Sequence, residues 1–450
     1  MKKYLNSVAA IAIAASCAGA ALADDTATVN GITFYGIVDV GMTYDTHGVP
    51  PSSVGSVGSY YLIQSASNKA TWEAAQSGMS QSRWGIKGAE DLGAGWTGIF
   101  KLEGGINPLG GAITDGIRSV VNCNGQVLAQ RSACADSSQD GGLFDRAAFG
   151  GVSNATYGTL TFGKHTTLEA DTIAAYDPIY NSYAFSLIGF SGATAGSGNT
   201  QDARWDNSVK YLGSYGPVRI GAMYGFGGTI TRNDSGVAGD LGFDYGPFSF
   251  DATATHKKDE VAASPLSSAQ MISAAAAGFN PQNSFSATVS DNTAYGINAK
   301  YTWDKFKFMG GYEYIKFANP SSPLAVGFVD IGNYIGSVVN NTNFTKNKIL
   351  QVGWFGLRYQ ATPKLEIDTA WYHYDQNGYA ASGANVGCSD TRAGTCSGQE
   401  NTFSLVADYH FTKKLDVYGG AMYSQVINGL ASGYLHNNNI DPTVGLRYSW

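Results

Sequence analysis

Residues 32–44 read ITFYGIVDVGMTY, and apolar and polar side chains alternate along this stretch with a period of two. Successive side chains of a strand point to opposite faces, so the alternation predicts a β-strand rather than a helix. The predominantly apolar face carries Ile32, Phe34, Gly36, Val38, Val40, Met42 and Tyr44. The opposite face carries Thr33, Tyr35, Asp39 and Thr43. A strand of this kind lies between an apolar and a polar environment.

The same unit recurs along the chain as pairs of alternating segments joined by tight turns, with long polar connections between the pairs. The predicted strands, sixteen in all, are residues 32–44, 82–87, 96–103, 146–152, 158–165, 205–211, 218–226, 240–245, 248–256, 294–303, 306–317, 349–360, 365–374, 402–411, 415–424 and 443–450. An even strand count with alternating short and long connections is typical of a transmembrane β-barrel. Such a sheet must close on itself, because the bilayer core offers no water to unpaired backbone groups.

We therefore predict an all-β fold, a sixteen-stranded antiparallel transmembrane β-barrel with short periplasmic turns and long extracellular loops. Residues 45–79 and 257–292, rich in Ser, Asn, Gly and Ala, are predicted to be surface loops. Composition agrees with a barrel, because charged residues make up 14% of the chain, against about 25% in soluble domains.

The N-terminus has the pattern of a secretory signal peptide, which we place at residues 1–23. Lys2 and Lys3 precede an apolar run over residues 8–22, and Ala21-Leu22-Ala23 fits a cleavage site before Asp24. The mature chain, residues 24–450, is then a single barrel domain. Removing two of the 28 basic residues leaves 26 against 35 acidic ones, a net charge of −9, which argues against a nucleic-acid partner.

Four cysteines remain in the mature chain, and each pair lies within one long polar segment: Cys123 with Cys134, and Cys388 with Cys396. A zinc site would normally have closer Cys spacing and nearby His. Two disulfides within loops are the preferred interpretation, in an oxidising compartment. Pairing between the two loops stays open at this point.

Residues 82–95, SRWGIKGAEDLGAG, are similar to the second strand and turn of the general porins of β-proteobacteria. The segments FYGIVD at 34–39, YGTLTFGK at 157–164, RWDNSVKY at 204–211 and VGLR at 444–447 are similar to the same family. The resemblance covers essentially the whole mature chain. It differs at the C-terminus, where the family commonly ends in Phe and this chain ends in Trp450.

The resemblance implies a homotrimeric outer-membrane porin with a water-filled pore in each subunit, surrounded by outer-membrane lipid and lipopolysaccharide. It also implies that the third long loop, between Thr166 and Ala203, folds into the barrel as a constriction loop. The second long loop, residues 106–142, would reach over a neighbouring subunit. The C-terminal strand would present Tyr448 and Trp450 to the membrane during insertion.

Strand alternation predicts which charged side chains line the pore. Those predicted to face inward are Arg83, Lys87, Lys101, Glu103, Arg146 and Lys210, and the resemblance adds Arg204. The constriction loop offers Glu169, Asp171 and Asp177 against these bases. Opposed charges across a narrow pore would orient polar solutes, since the local field governs selectivity there. The alternative is that some of them are merely solvated wall residues.

Aromatic side chains near the strand ends predict interface girdles, to which we assign Trp84, Trp96, Trp371 and Tyr372. Gly93-Ala94-Gly95-Trp96-Thr97-Gly98 matches a dinucleotide-binding pattern, but it lies in a β-turn with no helix after it. The six His residues show no metal-binding spacing. We therefore predict neither a cofactor nor a metal.

The predicted function is passive diffusion of ions and small hydrophilic solutes, with a preference for anions. A substrate-specific outer-membrane channel and a barrel-anchored surface adhesin are the alternatives. An outer-membrane enzyme is not favoured, because no Ser, His and acid arrangement emerges from the sequence.

Overall fold

The computed structural model describes residues 28–52, 58–134, 141–190, 203–227, 235–323, 327, 329–331, 334–340, 346–379 and 394–450. The strands of the barrel are β1 Ile32–Gly48, β2 Arg83–Gly93, β3 Trp96–Asn107, β4 Ala147–Asn154, β5 Gly158–Thr166, β6 Arg204–Tyr215, β7 Val218–Gly225, β8 Gly236–Tyr245, β9 Phe248–Ser264, β10 Ser284–Trp303, β11 Phe306–Ala318, β12 Lys348–Thr362, β13 Leu365–Gln376, β14 Gly398–His410, β15 Leu415–Asn428 and β16 Asn438–Ser449.

Shorter strands among the described residues are Thr28–Val29, Lys69–Gln76, Ala112–Ile113, Val329–Ile331 and Tyr334–Asn340. The helices are α1 Gly116–Asn122, α2 Leu168–Tyr176, α3 Leu187–Phe190 and α4 Ser268–Ala276. Within the described ranges, no helix is both long enough and apolar enough to cross a membrane. The predicted signal peptide lies outside the described residues and stays a prediction.

Each barrel strand pairs antiparallel with the next one along the chain. The sheet closes where β1 pairs with β16, with Ile37 opposite Ser449 and Thr43 opposite Thr443. The hydroxyl oxygens of Thr43 and Thr443 lie 2.7 Å apart across this seam. The predicted sixteen-stranded antiparallel barrel is confirmed.

The outer face of the barrel is apolar, as the alternation predicted. Large exposed apolar side chains on this face include Phe34, Phe162, Leu241, Tyr295, Ile297, Phe355, Leu405 and Val444. The assignment of Tyr372 to an interface girdle was wrong, because Tyr372 is fully buried on the inner face while Trp371, one residue earlier, is exposed on the outer face. Neighbouring residues of a strand cannot share a face.

Both segments predicted to be surface loops contain regular strands. Lys69–Gln76 pairs with residues 40–48 of β1. β9 continues to Ser264 and β10 begins at Ser284, so both strands extend into the segment predicted to be a loop. Phe285, Ala287 and Val289 are buried in this extension. The period-two pattern fails here because protein covers parts of these strands, so the contrast between lipid and water no longer dictates the side chains.

Two loops fill part of the barrel interior. The described residues of loop 1 (49–52 and 58–82) and of loop 3 (167–190 and 203) pack together against the inner wall. The apolar residues of this cluster include Tyr60, Tyr61, Ile173, Ile179, Phe185, Ile188, Ile315, Val352, Trp354, Val406 and Met422. Helix α2 of loop 3 lies along the wall formed by β7 to β11. The third loop therefore folds into the barrel, as the resemblance implied, and the lumen is narrower than the strand count alone suggests.

Loop 2, residues 108–146, is anchored on its own chain at two distant places. The side-chain amide nitrogen of Asn124 donates to the backbone carbonyls of Pro281 and Ser284 at 2.9 and 2.8 Å. The backbone amide of Ala133 donates to the carbonyl of Pro50 at 2.8 Å, next to the end of β1. Since Ser284 begins β10, nearly half a circuit from β1, loop 2 crosses the mouth of its own barrel. The contact with a neighbouring subunit that the resemblance implied stays a prediction.

Candidate functional site

Three basic side chains converge on Glu103, which lies on the inner face of β3 and is 5% exposed. Glu103 accepts a hydrogen bond from Arg146 Nε at 2.7 Å, and Lys101 Nζ lies 3.2 Å from its other oxygen. Arg83 Nε is 3.9 Å from that oxygen, and the Tyr35 hydroxyl donates to it at 2.8 Å. Strand pairing produces this arrangement, because Arg83, Lys101 and Glu103 all face inward on the adjacent strands β2 and β3.

Loop 3 is connected to this group of bases by Gln81. Gln81 lies at the end of loop 1, between the strand Lys69–Gln76 and β2. The side-chain oxygen of Gln81, Oε1, accepts from a guanidinium nitrogen of Arg146 and from the Tyr183 hydroxyl, the latter at 3.0 Å. Arg204 Nε donates to the backbone carbonyl of Arg146 at 3.0 Å. Arg83, Lys101 and Arg146 therefore contact one carboxylate at the level of loop 3, and Arg204 joins the group through the backbone of Arg146.

Two further predicted bases lie beside this group. Lys87 is exposed. Its ammonium nitrogen lies 5.5 Å from the centre of the Tyr35 ring, and that of Lys101 lies 5.9 Å from the centre of the same ring. Lys210 instead forms an ion pair with Asp171 on the first turn of α2. Lys87 can therefore contribute positive charge to the lumen, whereas the charge of Lys210 is neutralised.

Glu169 was expected to face the bases across the pore, but it does not. It is 3% exposed and lies between α2 and the wall. Neither of its carboxylate oxygens has a hydrogen-bond partner among the described residues. Burial raises its pKa to about 8, and the nearby charges of Glu313 and Asp240 act in the same direction. The expectation fails because the helix turns this side chain away from the lumen.

Asp177, at the end of α2, is also buried rather than pore-facing. It is fully buried and accepts a hydrogen bond from the Tyr372 hydroxyl at 2.6 Å. Arg358 donates to the backbone carbonyls of Asp177 and Pro178, each at 2.7 Å. Burial raises the pKa of Asp177, which the hydrogen bond from Tyr372 opposes. The carboxylate thus fastens loop 3 to β13, and the two backbone carbonyls fasten it to β12.

Gln81, Tyr183 and Arg358 belong to the site although the sequence did not predict them. Alternation along β12 could have placed Arg358 inside, because it lies on the same face as Trp354. No pattern in the sequence marks Gln81 or Tyr183, because both lie in irregular segments whose position depends on tertiary contacts.

The predicted bond between Cys123 and Cys134 is present, with the two Cα atoms 6.3 Å apart. It closes the part of loop 2 that follows α1. Cys388 lies outside the described residues, so its pairing with Cys396 stays a prediction. At the C-terminus, Tyr448 is exposed on the outer face, and the ring of Trp450 lies 6.3 Å from that of Phe34.

Two curated outer-membrane porins are similar to this chain. It is 29% identical over 234 residues to an outer membrane porin protein of Bordetella pertussis, covering 52% of this chain and 49% of that protein. It is 25% identical over 256 residues to outer membrane porin protein 32 of Delftia acidovorans, covering 55% of this chain and 58% of that protein. The matched region thus spans about half the length of these relatives.

Solved structures share the fold over nearly the whole chain. An anion-selective porin from Comamonas acidovorans superposes with a TM-score of 0.61 at 16% identity, covering 93% of this chain and 99% of that one. OmpT of Vibrio cholerae superposes with a TM-score of 0.57 at 14% identity, covering 95% and 100%. The family model described as Gram-negative porin matches residues 8–428. This chain therefore belongs to the Gram-negative porin family.

Proposed function

We propose that this chain forms a water-filled channel through which ions and small hydrophilic solutes diffuse passively, with a preference for anions. The observation that carries the proposal is the convergence of Arg83, Lys101 and Arg146 on the single carboxylate Glu103, with Arg204 bound to the backbone carbonyl of Arg146. An excess of positive charge at a narrow level attracts anions and repels cations.

The overall negative charge does not oppose this preference. Salt screens exposed charges beyond about 8 Å, so the charges at the constriction outweigh the overall sum. Lys87 adds to the positive side of the lumen. Asp171 and Lys210 compensate each other, while buried Asp177 binds Tyr372 and holds loop 3 in place.

We further propose that the channel works as a homotrimer in the outer membrane, in contact with lipid and lipopolysaccharide. The apolar outer face of the barrel suits lipid. OmpT of Vibrio cholerae, which shares the fold at 14% identity, has been solved in a trimer form.

Single-channel recording in a planar bilayer under a KCl gradient tests the proposal. We expect conductance to increase in groups of three steps. The reversal potential should have the sign of a channel that prefers chloride over potassium. A cation-directed potential would overturn the anion preference. Absence of conductance from folded protein would favour the adhesin or an enzyme, and saturable flux of one solute in liposomes would favour a substrate-specific channel.

A further inference from the structure

Three metal-ligating side chains meet on the lumen face at the short-turn end of the β14–β15 hairpin. Asp408 and His410 are two residues apart on β14, and Asp416 stands directly opposite His410 on β15. One ligand atom from each residue lies within 4.8 Å of the other two. In the sequence these residues are separated by a tight turn, so the group becomes visible only from strand register.

Arg447 binds the Oδ2 atom of each carboxylate and leaves both Oδ1 atoms for other partners. Arg447 on β16 binds Asp408 Oδ2 at 3.1 Å and Asp416 Oδ2 at 2.7 Å through the same nitrogen. Asp416 Oδ1 lies 2.6 Å from His410 Nδ1. Asp408 is 2% exposed, and its Oδ1 has no hydrogen-bond partner among the described residues. An unpaired carboxylate oxygen is costly to bury.

We propose that Asp408 Oδ1, His410 Nδ1 and Asp416 Oδ1 bind a divalent transition-metal ion of the Zn²⁺ type. Tetrahedral Zn²⁺ with bonds of about 2.0–2.2 Å separates its ligand atoms by about 3.4 Å. The present separations, from 2.6 Å to within 4.8 Å, bracket this value, so small side-chain rotations suffice. On binding, the imidazole proton moves from Nδ1 to Nε2 and Nδ1 becomes the ligand.

Arg447 supports the site rather than occupying it. It fixes both carboxylates through their Oδ2 atoms, as outer hydrogen bonds commonly orient metal-ligating carboxylates. Two carboxylates and one guanidinium leave a net charge of −1, which favours a divalent cation. The His410 side chain is 37% exposed, so water from the lumen can supply the fourth ligand.

The donor set favours Zn²⁺ over the common hard cations. Imidazole suits Zn²⁺, Cu²⁺ and Ni²⁺, whereas Ca²⁺ takes six to eight oxygen ligands and Mg²⁺ a nearly ideal octahedron of oxygens. One imidazole and two single carboxylate oxygens meet neither requirement.

Isothermal titration of Zn²⁺ into the purified, tag-free protein in detergent tests the proposal. One Zn²⁺ per subunit is expected, unaffected by a hundredfold excess of Mg²⁺. His410→Gln should weaken the affinity at least about tenfold, and so should Asp408→Asn. The control His256→Gln should retain the parent affinity, because His256 pairs with Thr293 on a different hairpin.

Equal Zn²⁺ affinity in His410→Gln, Asp408→Asn and the parent protein would overturn the proposal, as would the absence of binding to the parent. Circular dichroism establishes that each variant is folded. Because two ligand residues are changed independently, the test still stands if one of the two variants does not fold. The titration measures no ion flux, so its outcome is independent of the proposed transport function.

Discussion

Removing the charge of Glu103 should make the channel more selective for anions. Glu103→Gln keeps the shape of the side chain and one acceptor oxygen but deletes the negative charge that Arg146 and Lys101 contact at 2.7 and 3.2 Å. The bases then act on the lumen without an opposing charge. Their excess increases by one unit at the level where loop 3 narrows the pore.

The size of the effect follows from the position of the carboxylate. A permeating ion beyond Lys101 passes at about 7 Å, where one unit charge in water is worth about 0.6 kcal/mol. Screening at 0.1 M salt reduces this to about 0.3 kcal/mol. Because the term has opposite sign for anions and cations, their permeability ratio should change about threefold.

Reversal potentials under a KCl gradient measure this ratio directly. Lys101→Gln is the matched control, because it removes a positive charge at the same level and should shift the ratio by a similar factor towards cations. The reasoning would be refuted if Glu103→Gln left the reversal potential unchanged or shifted it towards cations in channels of parental conductance.

Three further predictions concern the loops. Tyr372→Phe removes the 2.6 Å hydrogen bond to buried Asp177, so the docking of loop 3 against the wall should lose about 1–3 kcal/mol. The channel current of the variant should therefore be noisier than that of the parent, and equal noise would contradict the anchoring role of Asp177. Because burial raises the pKa of Glu169 from 4.5 to about 8, loop 3 should be most stable below pH 4.5 and loosen as the pH rises towards 8. Noise recorded across this range should rise in the parent and stay flat in Glu169→Gln. Replacing both Cys123 and Cys134 by Ser should destabilise loop 2 by about 3 kcal/mol, measured as faster proteolysis within the loop, and an unchanged cleavage rate would oppose it.

The sequence predicted the barrel wherever lipid constrained it. Alternation placed Phe34 outside and Asp39 inside, because a side chain that faces hydrocarbon must be apolar. It did not reveal that Asp39 accepts hydrogen bonds from the Tyr418 hydroxyl and the backbone amides of Met79 and Ser80. Those partners come from distant parts of the chain, and the local pattern does not encode them.

The same distinction applies to the candidate site. Arg83, Lys101 and Glu103 could be placed inside because they lie on regular strands with a defined face. The orientation of Glu169 and Asp177 depends on how α2 docks against the wall, which is a tertiary contact between a short helix and several strands. Sequence reasoning could locate these acids in loop 3 but could not decide which way they point.

The seam between β1 and β16 has a consequence for how the protein acquires its structure. Ile37 pairs with Ser449, and Gly36 exchanges backbone hydrogen bonds with Trp450, so the first long strand finds one of its neighbours only at the end of the chain. Contacts this distant in sequence are slow to form. Until the last residues have been synthesised, β1 keeps an unpaired edge that could bind another chain. The barrel can therefore close only once β16 is present to cover that edge of β1.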